Sequence, residues 1–322
     1  MAEERARLGP WTRFLLRRAL ALAVTAAVLV VVTFAMVRFI PGDPARRVAG
    51  PEADSTVVEA VRAQLGLDQP VWQQFTDYVT GLFTLDLGNS FVSAEPVAKV
   101  IADRLPATLE LTAVSLVVIM LFSLAVGIGF GALTREHRRP RLEAAFTAVT
   151  SLGGALPHYL VATFLVFFFA VLLRVLPVSG SEGPAALVLP VLAVSIGPGA
   201  TLARLVRLET LGVLSQDYVR TARSKRLRTP TVYLRHVLPN VLTAALTIGG
   251  LLFAGLIGGA LVTENVFTRP GLGTALVQAV LVQDYRVIQG IVLLLGVTVV
   301  VVNTVVDIVL GLVDRRSLVA AA

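Results

Sequence analysis

Six stretches of the chain are long, apolar and free of acidic and basic side chains: residues 19–37, 111–133, 144–173, 183–203, 237–263 and 287–306. Each approaches or exceeds the roughly 20 residues that a helix needs to cross the hydrocarbon of a bilayer. Between the first two, residues 57–65 and 71–82 place apolar side chains at helical spacing, with Gly66 and Pro70 breaking between them. Pro41-Gly42-Asp43-Pro44 is turn chemistry that ends the first span. The longest strongly basic piece between two apolar segments runs from Ser215 to Asn240. It carries Arg220, Arg223, Lys225, Arg226, Arg228 and Arg235 against one acid, Asp217. Ser215 reads as the N-cap of a short helix with Asp217 in its first turn. Thr229 followed by Pro230 reads as a second start. The pattern predicts two short helices joined by a turn at a membrane surface, lying against lipid headgroups or another protein.

Composition turns six apolar stretches into six membrane spans. The chain has 322 residues, 56% hydrophobic and 15% charged, with a mean hydropathy of +0.80. A soluble domain cannot bury that much apolar surface. With no cysteine, disulfides, thiolate metal sites and cysteine nucleophiles are excluded. The basic start followed by an apolar run, with no clear small-residue cleavage site, predicts an uncleaved first span.

Charge sets the expected orientation. Arg5, Arg7, Arg13, Arg17 and Arg18 precede the first span. Arg135, Arg138, Arg139 and Arg141 lie between the second and third. Arg204 and Arg207 approach the basic stretch between the fourth and fifth, and Arg315 and Arg316 follow the sixth. The loops on the other side are poor in Arg and Lys or net acidic. By the positive-inside rule both termini are expected in the cytoplasm. In the long external segment, Trp72, Phe75 and Tyr78 fit either lipid anchoring or contact with a partner.

Gly153, Gly154 and Pro157 are expected to interrupt the third span, and Pro190, Gly197, Pro198 and Gly199 the fourth. Gly249, Gly250, Gly255, Gly258 and Gly259 lie along the fifth. Tight helix packing and a bundle that rearranges both account for such breakers. Polar positions in the spans are few: Glu110, Ser115, Thr147, His158, Ser195, Thr243, Thr247, Glu264, Asn303 and Asp307. Glu110 and Glu264, near outer ends, are expected to snorkel or pair. Asn303 and Asp307 are expected to share a face turned into the bundle, and His158 to be a buried imidazole with its hydrogen bonds met.

Catalytic constellations are missing from the pattern. Neither Lys99 nor Lys225 follows the glycine-rich turn of a phosphate-binding loop. His137, His158 and His236 are scattered, and Ser179-Gly180-Ser181 has no histidine nearby in sequence. The basic loop has little aromatic interleaving, which argues against nucleic acid as a partner. Transport, conduction and scaffolding remain, with a membrane-bound enzyme as the reading least supported. An ion-driven secondary transporter would want paired intramembrane carboxylates or inverted repeats, and neither is clear.

The ordered pieces PGDP (41–44), LGLDQP (65–70), LDLGNS (85–90), PVAKVIADRLPATLEL (96–111), DYVRTARSK (217–225), TENVFTRPGLG (263–273), QDYRVIQG (283–290) and NTVVDIVLGLVDRR (303–316) together resemble the B-type transmembrane permease subunits of dipeptide and oligopeptide ABC importers. The resemblance implies an all-α integral membrane protein with six transmembrane helices in the type I ABC importer fold. It implies a cytoplasmic N-terminus over 1–18, a first transmembrane helix over 19–40, and an external segment with short interfacial helices over 41–106. A five-helix permease core over 107–314 would contain a coupling loop at 212–239, with a cytoplasmic tail at 315–322. It further implies that Asp217, Tyr218, Val219, Arg220, Thr221 and Ala222, with Arg223, Ser224, Lys225, Arg226 and Leu227, couple to an ATPase. The implied partners are a second homologous permease subunit, two cytoplasmic ATPase subunits that bind ATP and Mg, an external peptide-binding protein, membrane lipid and a peptide substrate. No cofactor is implied in this chain, and no enzymatic activity. Nickel complexes, haem and longer oligopeptides are alternative cargoes. The family pattern places glycine where Arg226 stands, so either the turn sits elsewhere or this arginine adopts a strained conformation.

Overall fold

The computed structural model describes residues 10–39, 42–137, 139–178 and 183–313. Arg5, Arg7, Pro41, Arg138, Ser179 to Ser181, Arg315 and Arg316, invoked above, lie outside them, as do the side chains of Arg13 and Asp307. Among the described residues the chain is helical, with one isolated bridge between Asn89 and Pro96. Five helical stretches there are long and apolar enough to cross a membrane, or six if one bent pair makes a single span.

The chain begins with α1 (Pro10–Val37). Three short helices follow, α2 (Pro44–Ala49), α3 (Ser55–Gln64) and α4 (Val71–Phe83). The last two stand where the apolar spacing predicts. The turn motif also starts a helix: the Asp43 carboxylate accepts from the Ala45 N–H at 3.1 Å and caps α2. The second span, α5 (Val97–Leu133), starts well before its uncharged run and carries Pro106 inside it. Its 37 residues extend about 55 Å at 1.5 Å per residue, against about 30 Å of hydrocarbon. Its charged side chains, Lys99, Asp103, Arg104 and Glu110, all fall in the surplus at its first turns.

The third span is broken outright. α6 (Pro140–Ala155) and α7 (His158–Leu165) meet at 99°. Pro157 cannot donate to a helix, and its ring pushes the residue before it out of the helical region. Leu156 accordingly sits extended, at φ −74° and ψ 126°. The fourth span differs from expectation, because α8 (Ala185–Leu214) runs unbroken through both Pro190 and Pro198. It is the most buried of these spans and packs on α6, α7 and α11, neighbours of the kind that let a membrane helix tolerate proline. The chain continues through α9 (Asp217–Ser224), α10 (Thr229–Val232), α11 (Leu238–Val266), α12 (Leu272–Leu281) and α13 (Tyr285–Val313).

Two compact units divide these elements. One takes in Glu110–Phe267 with the described ends of the chain, the other Leu16–Leu109 with Thr268–Val301. In the first, α8 packs on α6, α7 and α11. A Cβ added at Gly127 of α5 would lie 2.5 Å from Val206 Cγ1 of α8, so only glycine permits that approach. In the second unit Val97, Ile101, Leu272, Ile288 and Ile291 are buried in one apolar cluster. Gly42, at φ +127°, faces the Gln283 side chain so closely that a Cβ would overlap it. Phe75 and Tyr78 of α4 lie against Phe34 of α1, at 5.1 and 6.0 Å between ring centroids. Tyr78 is buried and Trp72 exposed, so of the three aromatics Trp72 is the one left open to lipid or a partner.

Candidate functional site

The basic stretch folds as two short helices with a tight turn between them. Ser215 does not cap the first. Its Oγ donates back to the Gly212 carbonyl at 2.7 Å, and Gln216, in extended conformation, is the residue before α9. Pro230 lies in the first turn of α10, with Arg228 preceding it. α10 passes into α11 through a π-helical turn, Tyr233–Val237, just ahead of Pro239. Pro239 has no N–H to donate to the carbonyl one turn back, so the regular helical ladder is already interrupted there.

The turn after α9 resolves the question of Arg226. Its φ is +53°, the left-handed region that costs an L residue roughly 1–2 kcal/mol. Its N–H donates to the Arg223 carbonyl at 2.8 Å, and the Leu227 N–H to the Ala222 carbonyl at 3.3 Å. This pair of bonds is a Schellman closure, with arginine where glycine is usual. The turn therefore sits where the family pattern places it, and the arginine bears the strain.

The eleven predicted residues divide by burial, eight of them on α9 and Lys225, Arg226 and Leu227 in the turn after it. Val219 is fully buried and Ala222 nearly so. They belong to an apolar cluster that also holds Ile119 of α5, Val206 and Leu214 of α8, Val232 of α10, and Val241 and Leu256 of α11. Asp217, Tyr218, Arg220, Thr221, Ser224, Lys225, Arg226 and Leu227 are exposed, and Arg223 is half-buried. The Arg220–Asp217 pair at 3.6 Å is highly exposed and adds little. The outward face is polar and cationic, while the inward face is keyed into the bundle.

Three further sites were not visible in the sequence. Arg207 of α8, counted above only as a basic flank, is buried. It pairs with Glu143 of α6 at 2.7 Å, donates from Nε to Thr134 Oγ1 at 3.0 Å, and lies 5.7 Å from the Phe146 ring. Asp284 is buried beside the 85–96 loop. Its carboxylate accepts from Ser90 Oγ, from the Phe91 N–H at 3.1 Å and from the Val287 N–H at 3.4 Å, capping α13. Burial pushes the Tyr78 hydroxyl above the ordinary phenol range, opposed by its hydrogen bond with Thr33 and by the charge of Arg286.

His158 departs from expectation. It stands at the break between α6 and α7, half-exposed, with its imidazole facing two glycines. A Cβ at Gly197 of α8 would lie 3.6 Å from Cε1, and one at Gly259 of α11 3.6 Å from Cδ2. No hydrogen-bond partner meets the ring among the described residues. An apolar cavity of about 230 Å³, reaching Gly153 and Ser195, lies between α5, α6 and α8. Glu264 is fully buried and does not snorkel. Thr243 and Thr247 bond to carbonyls one turn back on their own helix, at 3.1 and 2.9 Å. Asn303 is half-buried.

A bundle of long apolar helices with one broken span, and a pair of short helices keyed into its core, defines a multi-pass membrane permease. The family model "Binding-protein-dependent transport system inner membrane component" matches residues 127–319. Its companion, "Binding-prot-dependent transport system membrane comp, N-term", matches 11–112. The chain belongs to this family: it is a permease subunit of an ATP-driven, binding-protein-dependent importer of the bacterial inner membrane. It is 41% identical over 295 residues to the glutathione transport system permease protein GsiC of Shigella flexneri serotype 5b, covering 92% of this chain and 95% of that one. GsiC of Escherichia coli K12 matches at the same identity and coverage. The inward-facing MetNI methionine ABC transporter superposes with a TM-score of 0.51 at 18% identity, covering 68% of this chain and 98% of that one. The fold is therefore that of a type I ABC importer permease.

Proposed function

We propose that this chain is one of two homologous permease subunits of a peptide importer, worked by ATPase subunits that grip the outward face of α9. The observation that carries the reading is the division of α9 into two faces. Val219 and Ala222 are buried in the core shared with α5, α8 and α11, while Tyr218 and Arg220 of α9, and Lys225 and Arg226 of the turn that follows it, are exposed. A rigid-body push on that face reaches the spans through packed side chains. The break at Leu156-Pro157, with His158 between two glycine-lined helices, supports a place in the pathway that changes between inward-open and outward-open states. Nucleotide shifts that equilibrium only by its differential affinity for the two states.

In this reading both termini and the 212–239 loop are cytoplasmic, and the 41–106 segment faces an external peptide-binding protein. ATP and Mg are held by the partner subunits, and the chain itself catalyses nothing. The cargo class follows from the relatives named for glutathione, itself a short peptide. The test is uptake of labelled di- and tripeptides into vesicles holding the chain with its second permease subunit, ATPase subunits and binding protein. ATP-dependent accumulation is expected. Uptake by the chain alone under an ion gradient, or accumulation of a non-peptide cargo in preference to peptides, would overturn it.

A further inference from the structure

A cavity of about 280 Å³ lies in the second unit, between the end of α1, α4, the turn after α3 and the first turns of α13. Its wall is cationic. Arg38 and Arg286 line it against a single carboxylate, Asp77. Among the described residues neither arginine has an acid within ion-pair distance. Arg38 donates to Gln74 Oε1 at 3.1 Å and lies 4.7 Å from the Phe34 ring. Arg286 lies 6.0 Å from the Phe91 ring. Deeper in the same wall, Gln289 is 9% exposed, and its side-chain amide has no hydrogen-bond partner among the described residues. The amide opens onto the cavity, where a bound oxygen can meet it.

Phe34 also lines a second, shallower depression of about 580 Å³. That one is apolar, running along the seam of α1 and α4 past Val31, Ala35, Val71 and Trp72. Val31, Phe34 and Ala35 share one face of α1, and Arg38 follows in the turn that ends it. Seven residues from Val31 to Arg38 rise about 10 Å along the axis. The seam is thus ordered by depth, apolar inside the span and cationic where the span ends. Trp72 and Val31 are exposed at 68% and 53%, and tryptophan is favoured at the membrane–water boundary.

We propose that this seam is a binding site for an anionic phospholipid, in the leaflet on the side of the 42–96 segment. The phosphate is held by Arg286 and Arg38, with the Gln289 amide donating to a phosphate or glycerol oxygen. One acyl chain lies along the apolar depression. Charge complementarity selects this occupant: two unpaired guanidiniums and an unmet amide ask for an oxyanion, and the depression that shares Phe34 asks for hydrocarbon.

The test is lipid retention by the assembled transporter, purified from membranes of phosphatidylethanolamine and phosphatidylglycerol and analysed by native mass spectrometry. Phosphatidylglycerol should be retained preferentially. Arg286→Gln and Arg38→Gln should each lower that preference about tenfold, the loss of one charge-assisted contact, and Arg286→Lys should restore part of it. Arg38 is exposed, so its variant keeps the test alive if Arg286→Gln misfolds. Trp72→Ala should weaken retention of the lipid. No preference in the parent protein, or an unchanged preference in both glutamine variants, overturns the proposal. Displacement of the lipid by inorganic phosphate, with Trp72→Ala without effect, overturns it in favour of a free anion. The chain has no cysteine, so Trp72→Cys supplies a unique label in this subunit. Its protection from a lipid-soluble maleimide by the second permease subunit would show a protein on the seam and also overturn the proposal.

Discussion

Arg207 of α8 and Glu143 of α6 form a 2.7 Å ion pair in which the arginine side chain is only 8% exposed. Thr134, at the end of α5, accepts from the same guanidinium. One buried cation thus ties three helices together at the end of the bundle that leads into α9. Breaking such a pair from one side strands a charge and costs about 3–5 kcal/mol. Glu143→Ala should lower the melting temperature of the purified complex accordingly. The double variant Glu143→Leu with Arg207→Met should recover most of the loss, since it leaves no charge unpaired. Equal damage from the single and double variants would mean that the pair is not what holds these helices.

Arg226→Gly removes a left-handed arginine but loosens the unfolded chain, two effects of about 1 kcal/mol and opposite sign. Stability is expected to stay level or rise slightly, with uptake unchanged. Arg226→Val should cost about 1–3 kcal/mol, because a branched side chain tolerates that conformation poorly. Thermal melting of the two variants side by side checks the turn.

The two faces of α9 predict opposite phenotypes for one kind of substitution. Tyr218→Glu with Arg223→Glu alters the outward and flanking side, and should abolish ATP-driven uptake while leaving the melting temperature near that of the parent. Ala222→Glu places a carboxylate in the apolar cluster and should unfold the region instead. ATPase stimulation and melting, measured on both, separate coupling from folding.

Asp284→Ala removes the acceptor for Ser90, Phe91 and the first turn of α13. Losing a buried charged acceptor costs about 1–3 kcal/mol. Limited proteolysis should cut the 84–96 loop several-fold faster than in the parent. Unchanged cleavage would show that the loop is held by other contacts.

The spans, the short helices α3 and α4 and the two-helix basic stretch were legible as local patterns of apolar spacing and turn residues, but the named caps were not, since Gln216 precedes α9 and Arg228 precedes α10. Proline shows where local reading ends. Pro157 breaks its span by 99°, whereas Pro190 and Pro198 sit inside a continuous α8, and what separates them is the packing around α8. Pairings between distant positions were not legible at all. Thr134 is 73 residues from Arg207, and Ser90 is 194 from Asp284. Some of the family-like pieces touch one another far apart in sequence: Gly42 against Gln283, Ser90 against Asp284, and Thr108 Oγ1 accepting from the Leu272 N–H at 2.9 Å. Those pieces meet inside one unit, which no one-dimensional pattern displays.

Val219 and Ala222 leave α9 no slack. A helix tethered only by its loops would swing under load and dissipate the stroke in the linkers. This one is rooted in the same close-packed material as the spans, so displacing it means displacing them. Under the coupling proposed above, the same rootedness removes tolerance: a change of one methyl group on that inner face meets the packing of α5, α8 and α11 directly.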